Sequence, residues 1–327
     1  MVPLSILDLA PVVEGGDAGA AFRNARALAA HGEVLGYKRF WMAEHHSMPG
    51  IASAATAVAL AYVGEGTSTI RIGAGGIMLP NHAPLQVAEQ FGTLESLFPG
   101  RVDLGLGRAP GTDQAAAFAL RRNLTADVNQ FPRDVVELLG YFRGDPPDAR
   151  VRAVPGEGLD IPVWILGSSL FGAQLAAVLG LPYAFASHFA PGAMLEAIQV
   201  YRESFKPSPS WPAPYVMLGY NVFAADTDEE AALLASSVEQ AFVALRTGNP
   251  GKLKPPQAGY RDSLFPGQRA LLDDALACSA IGTPAKVKAA VEDFVAATGA
   301  DELMIVSQIF DHEARLRSYR LLAEAFG

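Results

Sequence analysis

Short apolar runs and longer mixed runs alternate along the whole chain. The short ones are Leu4–Leu9, Phe40–Glu44, Ile70–Ala74, Val102–Gly107, Val163–Leu166, Tyr183–Ala186, Tyr215–Val222 and Glu302–Val306, and they predict eight β-strands. Helical runs lie between them. Ala18–Gly36 has Asp17 as a cap, Ala52–Gly64 is rich in Ala, and Leu85–Leu97 is stopped by Pro99-Gly100. Arg133–Phe142, Phe171–Leu179, Ala193–Phe205 and Asp228–Arg246 follow. Ala285–Ala297 has Thr283 as its cap and Pro284 at its first position, and Glu313–Phe326 closes the chain. Strands that alternate with helices imply a parallel sheet, and eight such units imply an α/β fold of the (β/α)8 TIM-barrel type, read as one domain over 1–327. The competing architecture is an open doubly wound sheet. It is disfavoured because no Gly-x-Gly-x-x-Gly follows the first strand.

Two intervals break the rhythm. Arg143–Asp160, rich in Pro, Gly and Asp, reads as a surface connection. Thr247–Arg269, before the last βα unit, carries Gly, Pro, Lys and Gln without an apolar period. A stretch of this length reads either as a mobile lid over the barrel mouth or as a surface insertion.

Composition narrows the class. Half of the 327 residues are hydrophobic, ample for a large core, and the net charge of -9 comes with no basic run carrying interleaved aromatics, so nucleic acid is not an expected partner. The longest uncharged apolar stretch, Ile51–Gly64, falls short of the roughly 20 residues that span a bilayer. Met1–Ser5 has no signal-type character, and the single Cys278 excludes an intrachain disulfide and reads as a small buried residue. A soluble cytoplasmic protein is the expectation.

The chemistry-bearing residues stand where strands end, which in a βα barrel is the reactive face. Ala43-Glu44-His45-His46 closes the second strand. Adjacent residues on a strand face opposite ways, so His45 and His46 do not readily share a metal, and no metal is expected. One imidazole is expected at the mouth and the other beside a carboxylate such as Glu44. Gly75-Gly76 ends the third strand, a place for close ligand approach or a bare turn, and His82 beyond it reads as structural. Arg108 follows the fourth strand, where a cation suits a phosphate or a loop carboxylate such as Asp113. Gly167-Ser168-Ser169 leads into a helix start, an anion site or an ordinary cap. It lacks the second glycine of a hydrolase elbow, because Phe171 stands there. Arg108 with the two serines would bracket one phosphate, and the histidines and glycines would flank an attached ring, as in FMN. Trp41, Phe171, Phe189 and Tyr220 could line the wall, though core packing is the expected role for each.

On these residues the chain resembles the bacterial luciferase family of flavin-dependent monooxygenases, end to end and most closely over Phe40–Gly111, Leu166–Pro182 and Glu302–Glu324. The resemblance implies that His45 is the catalytic histidine, with Glu44 or His46 orienting it. It implies a non-prolyl cis peptide at Gly75-Gly76 beneath the flavin ring. It also implies phosphate binding by Arg108 and by Leu166, Gly167, Ser168 and Ser169, and a mobile active-site loop at Thr247–Arg269. Reduced FMN from a separate flavin reductase would react with O2 to oxygenate a small organic substrate, in a homodimer. Two features depart from the family. Its reactive cysteine aligns with Gly107 and its phosphate-loop glutamate with Gly167, which puts light emission and an aldehyde preference in doubt. The alternatives are a non-catalytic flavin-binding partner subunit and a hydride-transfer enzyme using a deazaflavin or FMN.

Overall fold

Among the described residues nine parallel strands form the sheet: β1 (Leu4–Asp8), β2 (Arg39–Met42), β3 (Arg71–Met78), β4 (Val102–Gly107), β5 (Val163–Gly167), β6 (Tyr183–Phe185), β7 (Val216–Ala224), β8 (Ser279–Gly282) and β9 (Glu302–Val306). The computed structural model describes residues 2–109, 114–120, 130–144, 148 and 150–327. Strands β1 to β7 pair in sequence, and β9 pairs with both β7 and β1, so eight strands close into a (β/α)8 barrel. β8 stands outside this ring and pairs with the last four residues of β7, Asn221–Ala224.

Alternation along each strand explains why the strands read as continuous apolar runs. Phe40 and Met42, Val163 and Ile165, and Leu303 and Ile305 face the helices and join the main core. Trp41, Trp164, Met304 and Val306 face inward and fill the barrel with Leu7 and Met217. Both faces of a parallel sheet are covered, so both are largely apolar, and polar side chains are admitted only where they pair with one another.

The helices are α1 (Ala18–Val34), α2 (Thr56–Gly64), α3 (Pro84–Leu97), α4 (Gln114–Leu120), α5 (Phe131–Arg143), α6 (Leu170–Leu179), α7 (Met194–Ser204), α8 (Asp228–Arg246), α9 (Pro266–Ala275), α10 (Pro284–Thr298) and α11 (His312–Phe326). Asp17 caps α1 by accepting the Ala20 N–H at 2.7 Å. Thr283 occupies the cap position of α10, but its side chain makes no capping bond. No helix among the described residues is long and apolar enough to cross a membrane.

The floor of the barrel is a buried charge network. Arg39 donates to Glu302 Oε1 at 2.7 Å and to Asp103 Oδ2 at 2.7 Å; Arg71 also reaches Asp103, and Ser5 reaches Glu302. The guanidinium of Arg39 lies 4.9 Å from the Trp164 ring centre. These residues belong to β1, β2, β3, β4 and β9, so one cluster pins five strands.

Three features depart from the sequence reading. Strand β3 runs on to Met78, so Gly75-Gly76 lies within it, at a register shift between Ala74 and Ile77 against β4. The short strand β8 and the helices α4 and α9 were not predicted. The interval assigned to a lid holds a 3-10 turn at Tyr260–Ser263 and ends in α9, which starts at Pro266. Cys278 is buried, and burial pushes its thiol up to about 11, so it behaves as an inert small residue.

Candidate active site

A cavity of about 380 Å³ opens at the C-terminal ends of the strands, within the size range of small-molecule sites. Its wall includes His45, Gly75, Arg108, Leu166, Gly167, Ser168 and Ser169. Glu44, His46 and Gly76 are not on that wall. They sit behind it and hold it.

Glu44 is buried, and it joins the ends of two strands. Its Oε1 accepts from His46 Nε2 at 2.6 Å and from His82 Nε2 at 2.8 Å, and its Oε2 accepts the Met78 N–H at 3.0 Å. Burial works to raise the Glu44 pKa, but His82, His46 and the Met78 N–H outweigh it, so the carboxyl is held below its ordinary value and is ionised at neutral pH. A carboxylate accepts only, so both imidazoles present Nε2–H to it. The donor atoms of Glu44, His46 and His82 lie within 4.8 Å of one another, which is the spacing of a metal site. Here each is occupied by the others. The imidazole expected beside Glu44 is that of His46, with His45 at the mouth, and the carboxylate takes His82 as well, delivered by the turn after β3.

The Gly75-Gly76 bond is cis. The peptide is wedged on both sides. A Cβ on Gly75 would lie 2.9 Å from Trp41 Cε3 and 3.0 Å from Leu7 Cδ1, and one on Gly76 would lie 2.6 Å from the Gly105 carbonyl oxygen. Only glycine fits either place, and Gly75 presents bare backbone to the cavity.

Arg108 extends over the Phe171 ring at 4.1 Å from its centre. Phe171 sits in the first turn of α6, so the cation is parked beside that helix start. Asp113, the carboxylate considered for it, lies outside the described residues. Ser169 is the N-cap of α6, and its hydroxyl makes no capping bond. Arg108, Ser168, Ser169 and the start of α6 thus lie on one cavity wall, a set of groups able to donate to an anion. Donors of this kind suit a phosphate group, as in the mononucleotide FMN, and the bare Gly75 backbone leaves room for a flat group.

Trp41, Phe171 and Phe189 line the cavity, while Tyr220 does not. Met217 and Gly219 of β7 face inward, so Tyr220 faces out, where its ring meets Phe294 at 4.5 Å between centres. The sequence reading also missed His188, Phe242, Arg246 and Leu253, all on the wall. His188 follows the apolar run of β6 as His45 follows that of β2, and that position was the available signal. Leu253 comes from the interval assigned to a lid. Its N–H donates to the Val12 carbonyl at 2.9 Å, and its carbonyl accepts the Glu14 N–H at 2.8 Å, so this part of the interval is laid across the mouth as a strap.

Comparison with known proteins places the chain in a family. A protein of Escherichia coli (strain K12) described as a luciferase-like monooxygenase is 51% identical over 320 residues, 98% of this chain and 96% of its own. The N-acetyl-S-alkylcysteine monooxygenase of Bacillus subtilis (strain 168) is 38% identical over 76% of this chain and 75% of its own. The solved structure of apo-MsnO8 superposes with a TM-score of 0.88 at 35% identity, covering 100% of this chain and 98% of that one. The family model for luciferase-like monooxygenases matches residues 2–302. A barrel with this mouth, matched over nearly its whole length, belongs to the luciferase-like monooxygenase family.

Proposed function

We propose that this protein is an FMN-dependent monooxygenase that uses reduced FMN and O2 to oxygenate a small organic substrate. The observation that carries the reading is one cavity wall that contains Arg108, Ser168 and Ser169 together with Gly75 and His45, with Arg108 lying over Phe171 in the first turn of the helix that Ser169 precedes. Arg108 and the serine hydroxyls would hold the phosphate, and Gly75 would underlie the ring. Bound reduced FMN would supply the electrons that activate oxygen. His45 would take or give a proton at its ring nitrogen, which imidazole does readily near neutral pH. Glu44, through His46 and Met78, would fix the strand ends that carry His45 and Gly75. Phe189, Phe242 and the strap at Leu253 would keep water from the mouth.

A flavin reductase would be a transient partner, and a homodimer is proposed on the family resemblance. The decisive experiment mixes the anaerobic complex of protein and reduced FMN with oxygenated buffer and follows flavin absorbance. Reoxidation through a lasting transient, slower than that of free FMN, is expected. Reoxidation as fast as free FMN, with binding verified, would remove the monooxygenase reading.

A further inference from the structure

His188 follows β6 by three residues, and its backbone is held on two sides. Ser187 Oγ donates to the Gly219 carbonyl at 2.6 Å, and Asn221 Nδ2 donates to the His188 carbonyl at 2.7 Å. The ring then lies against β7 where Gly219 has no side chain. A Cβ on Gly219 would collide with Nδ1 and would stand 3.0 Å from Cγ and 3.1 Å from Cε1. The Nδ1 edge is therefore turned to the strand. The opposite edge, with Cδ2 and Nε2, is left to the cavity whose wall His188 forms.

That placement selects a tautomer. Nδ1 is buried, and no hydrogen-bond partner reaches it among the described residues. A ring N–H there would be a buried donor without an acceptor, the kind of orphan that folded proteins avoid most. A bare ring nitrogen lies instead against the Cα–H of Gly219, a weak donor. The single proton of the neutral ring thus belongs on Nε2. The ring also stays neutral: burial first, and then the neighbouring His45, push its pKa down to about 4.

We propose that His188 is a fixed, uncharged donor that presents Nε2–H to an acceptor atom of the organic substrate, on the wall facing the cofactor seat. Strand order places β7 four strands from β3 around the eight-stranded ring, so the Gly219 seat of His188 stands across from Gly75. The same wall offers Phe189, Met217, Phe242 and Met304. One oriented neutral donor among these side chains, with the Arg246 guanidinium also on the cavity wall, suits a molecule that carries an oxygen acceptor and discriminates against a cation. This assignment rests on the FMN seat proposed above.

The test is long-range 15N–1H NMR of protein labelled at its six histidines, with the His188 signals assigned from His188→Phe. We expect the Nε2–H tautomer, unchanged between about pH 5.5 and 8. A proton on Nδ1, or titration within that window, overturns the proposal. Adding FMN should move the His45 signals and leave those of His188 in place, and His188→Phe should bind FMN within about twofold of wild type. An affinity loss of about tenfold, or His188 signals that move with those of His45, would give the donor to the cofactor and overturn its assignment to the substrate. If FMN does not bind the wild type at all, the FMN seat falls, while the tautomer result still decides the donor.

Discussion

Glu44 shows how one side chain serves a site it does not touch. Its carboxylate collects two imidazoles and a backbone N–H while His45, the next residue, stands on the cavity wall. Glu44→Gln keeps the shape and removes the charge, and should cost about 1–3 kcal/mol of stability in urea titration at neutral pH. The carboxyl pKa is depressed on folding, so the stability it contributes is present above its ordinary value of 4.5 and is lost as pH falls through the folded value. The gap between wild type and Glu44→Gln should therefore narrow below about pH 4.5, and a gap that widens there would contradict the assignment. His45→Ala should leave FMN affinity nearly intact and lower turnover; lost binding would show that His45 holds the cofactor instead. Arg108→Ala should weaken FMN binding by about 1.5–3 kcal/mol in a fluorescence titration, the worth of charged hydrogen bonds, whereas riboflavin, which has no phosphate, should bind both proteins alike. Single residues at strand ends were legible because an apolar run that stops at Glu, His or Arg announces a mouth position. The pairing of His46 with His82 was not, since it depends on two strand ends meeting in space.

Among the elements, legibility followed length and period. The long strands and amphipathic helices were readable, but β8 spans only Ser279–Gly282 and leaves too little pattern to detect. Tyr220 takes the core role expected of it, because the two-residue period of β7 puts Gly219 at the cavity and its neighbour in the core. The interval after α8 looked featureless because its order is tertiary. The strap is held by backbone bonds between Leu253 and the segment Val12–Glu14, and such bonds leave no mark on composition. Leu253→Pro removes the N–H that meets Val12 and should loosen the strap without unfolding the barrel. The expected readouts are faster FMN release in stopped-flow displacement and faster hydrogen exchange at Glu14. Unchanged values for both would show that the strap does not gate the mouth.

At the level of the whole molecule, the two ends of the barrel hold different kinds of polar group. The mouth lines an open cavity with donor groups, while the floor consumes its charges internally. Arg39→Met would leave Asp103 and Glu302 buried with fewer partners and should destabilise the fold by about 3 kcal/mol or more, with FMN affinity unchanged in the protein that remains folded. An equal fall in FMN affinity would mean that the two ends are coupled. The closed ring itself was legible from eight alternating units, whereas the floor network was not. Its members, Arg39, Asp103 and Glu302, sit at the margins of apolar runs and look like ordinary strand flanks until the barrel closes.

The floor cluster also bears on how this chain can change over generations. Because five strands are locked together at the end away from the cavity, replacements at Phe189, Met217 or Phe242 alter the wall without touching the lock. A mutant library confined to the mouth would thus sample new ligand shapes on a frame that keeps folding, and one that strays into Arg39 or Glu302 would return mostly insoluble protein.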